Sequence, residues 1–423
     1  MATLSSPFTV TELSALEILD SRGNPTLQVD VTLGSGAHGR AGVPSGASTG
    51  SREAVELRDG DKERFGGKGV LGAVANVNGE LREAAAGREW ESLPALDRAL
   101  ADADGTPNKG RLGANAIVGV SMAVARALAG EGDLFATLAP DGVAPRLPVP
   151  HFNVLNGGVH APNSLDFQEF MVAPVGAPSF PEAVRAGAAV YATLRGLLHE
   201  RGYATGLGDE GGFAPDIARP EDVLTLLVEA IEGAGYETGT AGVAIALDPA
   251  ASEFYRDGAY HVAGEALSSA DMVERYAQIV RDFPVWSIED GLAEGDWDGW
   301  VALTERLGAG TQLVGDDIFV TNPAIIAEAI DRKVGNSALI KLNQIGSVSE
   351  TLEAMALCRQ AGYTQMVSHR SGETPDPFIA DLTVATGCGQ LKSGAPARGE
   401  RVAKYNRLLE IAAAHNLPYG LAG

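Results

Sequence analysis

The sequence is poor in cysteine. Cys358 and Cys388 are the two it has in 423 residues, too few for a disulfide framework and suited to a reducing compartment. Cys358 lies in a helix-like apolar run and reads as buried filler. Positive charge is also scarce: 32 Lys and Arg face 55 Asp and Glu, a formal net charge of −23. That field opposes nucleic acid and anionic membrane, so any anionic ligand must be held by local cations or a metal. The N-terminus does not join a basic start to an apolar core, so no signal peptide is expected. The most apolar long stretch, 112–130, is rich in Ala and Gly and interrupted by Arg126, which suits a tightly packed interior helix better than a membrane span. No low-complexity tract is present. A soluble, cytoplasmic protein is expected, with no direct nucleic-acid partner.

The length suggests two domains, one of them a barrel of about 250 residues. Residues 26–33 alternate with period two, 34–39 turn the chain, and 40–43 return it, which reads as a hairpin. Helix-like patterns follow at 69–86, 93–103 and 112–130. Residues 1–143 therefore read as a small α+β domain, closed by a Pro- and Gly-rich linker at 139–150. From 144 to 423 strand-like and helix-like segments alternate. Helices are predicted at 180–200, 220–234, 268–282, 322–333, 347–361 and 401–414, with Ser269 and Asn322 as capping candidates.

Within that second part, five apolar runs each end in polar residues: VAIALD at 243–248, PVWSIED at 284–290, QLVGDD at 312–317, SALIK at 337–341 and TQMVSHRS at 364–371. Their landmarks Asp248, Glu289, Asp316, Lys341 and Arg370 are 41, 27, 25 and 29 residues apart, about one strand-plus-helix unit each. The fold class is thus α/β, with strands presenting chemistry at one face of a barrel.

Asp248, Glu289 and Asp316 are hard oxygen donors on successive strand ends, which suits magnesium; the lack of Cys and the few His nearby disfavour zinc. Taken singly, each acid would more often be a helix cap or a solvated loop residue. Lys341 sits in an apolar run and either snorkels to solvent or is buried for a purpose. Near a dication and a second lysine its ammonium would be disfavoured, which predicts a lowered pKa and a general base. His369, Arg370 and Ser371 together form a candidate phosphate clamp. Lys392 ends one further strand-like run and adds a cation, with a solvated loop lysine as the bland alternative. GLGDEG at 206–211 matches GxGxxG, yet no apolar strand precedes it, Pro215 follows it, and Asp209 and Glu210 would repel a pyrophosphate. It reads as a loop carrying Glu210. Residues 44–50 lack the Lys-Ser/Thr ending of a P-loop and read as a mobile lid.

Taken together the motifs resemble the enolase family. The match rests on SRGNPT at 21–26, SGASTG at 45–50, LNGG at 155–158 with His160, QEF at 168–170, GDEGGFAP at 208–215, ASEFY at 251–255, SIED at 287–290, SHRSGET at 368–374 and VAKYN at 402–406. It covers about residues 10–415, and the number and order of the motifs make it specific. The resemblance implies an N-terminal α+β domain capping a modified (β/α)8 TIM-type barrel. It implies reversible dehydration of 2-phosphoglycerate to phosphoenolpyruvate with two magnesium ions per site. Carried over, Asp248, Glu289 and Asp316 hold the first metal and Ser48 helps bind the second. Lys341 is the base and Glu210 the acid, supported by Glu169. Lys392 holds the substrate carboxylate, Arg370 and Ser371 its phosphate, while His160, Gln168 and His369 line the pocket. Loops at 45–50, 159–166 and 258–268 would close over it. A homo-oligomer, dimer or octamer, follows from the same resemblance.

His151-Phe152, Pro162 and Gly295 depart from the usual pattern, and the C-terminus lacks the terminal lysines of some enolases. Those departures raise a secondary isozyme, or a catalytically weak paralogue acting as a binding protein, as the alternative. An acid-sugar dehydratase or racemase of the same superfamily would share the metal acids but typically lack the phosphate clamp and the 45–50 loop.

Overall fold

A computed structural model describes residues 4–46 and 49–421. The N-terminal part opens on a strand, Phe8–Leu19, which pairs antiparallel with Pro25–Leu33, and that strand pairs antiparallel with His38–Gly42. The second and third strands are the expected hairpin; the first carries only a weak alternation, being half exposed beyond Leu13. The stretch 112–130 becomes the helix Ala114–Ala129, buried along nearly its whole length against this sheet. Small residues make that burial close: a Cβ at Gly39 would lie 1.9 Å from the Ala123 carbonyl oxygen. The tightly packed interior helix is what forms, and among the described residues no helix is long and apolar enough to cross a membrane.

The second part is a closed barrel of eight strands: Val149–Asn156, Glu169–Ala173, Ala244–Asp248, Val285–Glu289, Gln312–Gly315, Ser337–Ile340, Thr364–Ser368 and Gln390–Lys392. Neighbours are parallel, except that Glu169–Ala173 runs against both of its own. The reversal matters for function. Glu169 opens its strand opposite Asn156 and Asp248, which close theirs, so its carboxylate arrives at the same mouth as the strand ends. Apolar strand residues fill the wall, as buried parallel strands require.

The predicted helices form as Phe180–Glu200, Pro220–Gly233, Ser269–Asp282, Pro323–Arg332, Val348–Gln360 and Gly399–Ala414. Asn322 caps its helix through the Ala324 N–H. The cap at 268–282 is Ser268, one residue earlier than expected, in a reciprocal box with Asp271; Ser269 instead donates to Asp296. Residues 258–268, expected as a lid loop, belong largely to a small antiparallel sheet of Tyr255–Arg256, Ala259–Val262 and Glu265–Leu267. Cys358 is fully buried.

The two parts are joined by polar contacts, some partly and some fully buried. Arg126 donates to both Asp376 carboxylate oxygens, Lys109 lies 2.9 Å from Glu350, and Asp97 accepts from Ser349 and Ser121.

Candidate active site

The barrel geometry draws the chemistry to one mouth. Asp248 and Glu289 are the last residues of their strands, and Asp316, Lys341 and His369 follow directly on theirs. Lys392 ends the eighth strand opposite His151 and Ser368. Of the thirteen residues singled out from sequence, eleven line one buried cavity: His160, Gln168, Glu169, Glu210, Asp248, Asp316, Lys341, His369, Arg370, Ser371 and Lys392. Glu289 lies just behind them, against Lys392. Ser48 falls outside the described residues.

Two lysines neutralise the acids. Lys392 places its ammonium 2.8 Å from Asp248, 2.9 Å from Glu289 and 3.2 Å from Glu169. Burial pulls this lysine down, but those carboxylates outweigh it and hold it well above the usual lysine range. Lys341 lies 2.5 Å from Asp316. Burial pulls Lys341 down as well, yet Asp316 more than offsets it and the pKa is raised. A dication and a second lysine would lower it, whereas the carboxylate in direct contact raises it. The other Asp316 oxygen accepts from Gln344 Nε2 at 2.8 Å, and Gln344 is held by Thr321, which also receives the Lys341 N–H. Asp290, at a left-handed φ of 42°, accepts the N–H groups of Asp316 and Asp317, each at 2.9 Å.

The other side of the mouth is a carboxyl pair among imidazoles. Glu210 accepts from Asn153 Nδ2 at 2.9 Å and lies 3.3 Å from His369 Nε2. His160 Nδ1 is 3.6 Å from Glu169 and 3.9 Å from Glu210. Burial and the neighbouring Glu210 charge hold Glu169 well above the carboxylate range. Burial acts on Glu210 too, but His369, His160 and Arg401 reverse it and leave this carboxyl well below its ordinary value. Burial takes His369 down to about 4, so at neutral pH its ring is uncharged and meets Glu210 as a dipole. Of the two, the higher pKa therefore belongs to Glu169. Two buried carboxyls this close titrate as a unit.

The clamp residues are braced from behind. Arg370 makes a two-pronged contact with Glu53, at 2.9 and 3.0 Å, and donates to Asn343. Glu53 also accepts from the Gly50 N–H, which ties the 45–50 segment to the clamp. At Gly46 a Cβ would come within 2.2 Å of the Arg370 guanidinium, so glycine there is a packing requirement. Ser45 exchanges both backbone hydrogen bonds with Gly372. Two fully buried cations from the helix Gly399–Ala414 complete the brace: Arg401 reaches His369 and the carbonyls of Arg370 and Ser371, and Lys404 lies 2.8 Å from Glu373. Glu53, Asn153, Asn343, Gln344 and Arg401 were not among the expected site residues. The run VAKYN at 402–406 flanked Arg401, but a motif match assigns no partner.

The donor set fits a divalent metal. Asp248, Glu289 and Asp316 are hard oxygens, Glu289 Oε2 is buried without a partner, and an ammonium already sits between two of the three. Among the described residues, ligand atoms approach within 4.8 Å of one another in Asp290–Asp316–Asp317 and in His160–Glu169–Glu210, so of the expected trio only Asp316 belongs to such a group.

Fold and mouth together define an α/β barrel of the enzyme type, with buried acids and cations gathered at one mouth and a donor set that could hold a divalent metal. Comparison with known proteins gives the family. Residues 10–136 match the family model described as "Enolase, N-terminal domain" and residues 144–417 match "Enolase, C-terminal TIM barrel domain". The chain is 58% identical over 409 residues to the enolase of Rubrobacter xylanophilus, an alignment covering 95% of each. The chain belongs to the enolase family and is a lyase with that family's phosphopyruvate hydratase activity.

Proposed function

We propose that this mouth dehydrates 2-phosphoglycerate to phosphoenolpyruvate, reversibly, with Lys341 as the base at C2 and Glu210 as the acid at the C3 hydroxyl. The observation that carries the assignment is that one buried cavity is lined by both groups, with Lys392 set among the acids. Residues 1–143 are read as the capping domain and 144–423 as the catalytic barrel.

Two magnesium ions are proposed, one on Asp248, Glu289 and Asp316 and one helped by Ser48; bound there, they stabilise the charge that grows on the substrate carboxylate. Lys392 adds a fixed cation to the same task. Lys341 must be neutral to accept the C2 proton. Asp316, with a smaller contribution from Glu289, keeps it charged against its burial, so engagement of Asp316 by another partner weakens that support and lets burial lower it toward a working base. Glu210 must be protonated to release water, and the proton it needs is held within the Glu169–Glu210 pair. Arg370 and Ser371 take the phosphate, which requires Arg370 to share or release Glu53. His160, Gln168 and His369 line the substrate and keep the cavity closed to water.

The chain is further read as a homo-oligomer, a dimer or an octamer built from dimers, acting in the cytoplasm on this small-molecule substrate. Nothing in the site favours a catalytically idle binding protein, since none of the described residues assigned a catalytic role is missing from the mouth. Purified protein with magnesium is expected to convert 2-phosphoglycerate to phosphoenolpyruvate. No turnover at high enzyme concentration would overturn the proposal.

A further inference from the structure

We propose that Arg401 is a positioning residue for the reaction, fixing the tautomer of His369 so that its N–H sits on Nε2, the ring nitrogen beside Glu210. The inference rests on the reading of Glu210 as the acid. Arg401 is completely buried in the first turn of the helix Gly399–Ala414. Its Nη1 lies 2.5 Å from His369 Nδ1 and 2.6 Å from the Arg370 carbonyl oxygen. Its Nη2 donates to the carbonyls of Ser371 at 2.6 Å and Asp209 at 3.2 Å, and to Ser21 Oγ at 3.4 Å.

A guanidinium has donors and no acceptor, and it does not lose its proton in a protein. His369 Nδ1 can therefore only accept. Because burial keeps this ring neutral, its one N–H is on Nε2, which lies 3.3 Å from Glu210 Oε2 without forming a hydrogen bond of good geometry. The other tautomer would set an N–H against the guanidinium and a lone pair against the carboxylate, unfavourable at both ends. The same guanidinium ties Asp209, next to the acid, to Arg370 and Ser371 in the clamp. One buried cation thus sets both the direction of the imidazole and the spacing of two site segments. Lysine cannot reproduce this, lacking a planar fork.

The test is nitrogen NMR on the full-length chain labelled with ¹⁵N-histidine, with His369 assigned among the seven histidines by its loss in His369→Gln. The wild type is expected to show His369 protonated on Nε2 with an accepting Nδ1. Arg401→Met should populate the Nδ1–H form and lower kcat by about 10²-fold, the scale of a misplaced catalytic group, with a smaller change in KM. Arg401→Lys should recover part of both. A wild-type His369 protonated on Nδ1 overturns the proposal, as does a folded Arg401→Met that keeps the Nε2–H form. If Arg401→Met does not fold, the wild-type spectrum decides. Should Glu210 not be the acid, Glu210→Gln would retain dehydration while the His369 tautomer stays as stated, which separates the two failures.

Discussion

The Lys341 ammonium and an Asp316 carboxylate oxygen are 2.5 Å apart, so the proposed base and a proposed metal ligand neutralise each other. Both steps of the reaction can then be probed separately. Lys341→Ala should lose C2 proton exchange and dehydration together, by about 10²–10⁴-fold or more, the usual worth of a positioned base. Glu210→Gln should lose dehydration to a similar degree but retain exchange of the C2 proton with deuterated solvent. Mass spectrometry of recovered 2-phosphoglycerate reads the exchange, and phosphoenolpyruvate absorbance reads the dehydration. Exchange surviving in Lys341→Ala would remove that residue as the base.

Chelation tests the acid cluster. With EDTA, turnover should stop, and added magnesium should restore it. The same ion should raise thermal stability without substrate, because it binds the folded state alone: about 2.7 kcal/mol at a hundred times its dissociation constant. Asp248→Asn should lose most of that magnesium-dependent rise in melting temperature. Full activity in chelator would remove the metal from the mechanism.

Much of this was legible in the chain because a barrel converts sequence spacing into convergence. Asp248, Glu289, Asp316 and Lys341 each follow an apolar run, and parallel strands carry them to one end. The reversed strand was not legible, since QEF at 168–170 reads the same in either direction. Nor were the charge states. The pKa of Lys341 turns on which oxygen its nitrogen touches, and Glu169 and Glu210 split because burial and the Glu210 charge raise the first while the imidazoles and Arg401 lower the second. Arg401 and Glu53 escaped for a related reason: they act through partners 32 and 317 residues away, and no local pattern encodes such a pair.

Arg370 holds Glu53 through both prongs of its guanidinium. If this fork receives the substrate phosphate, Arg370→Lys keeps the charge but loses the paired geometry. KM for 2-phosphoglycerate should rise by roughly 10-fold or more, each tenfold corresponding to about 1.4 kcal/mol of binding, while kcat changes less. Initial-rate kinetics decide it. An unchanged KM with a depressed kcat would indicate that Arg370 braces the 45–50 segment through Glu53 instead of binding the substrate.

Away from the mouth, Asp97 makes the junction of the two domains sensitive to pH. One of its carboxylate oxygens accepts from Ser121 Oγ, Ser349 N and Ser349 Oγ, while the other is buried without a partner. Burial raises its pKa to about 6, the serine hydrogen bonds opposing it only in part. The unfolded chain has the ordinary aspartate value of about 4, so between these values the folded state binds the extra proton. Its contribution is therefore fully present below about pH 4 and is lost as pH rises through about 6. Two units correspond to roughly 3 kcal/mol. Asp97→Asn cannot titrate, so the difference in urea midpoint between variant and wild type should grow in the variant's favour from pH 4 to pH 6 and then level off. A difference that stays constant across that range would mean Asp97 is already ionised in the folded chain at pH 4, its serine donors outweighing its burial.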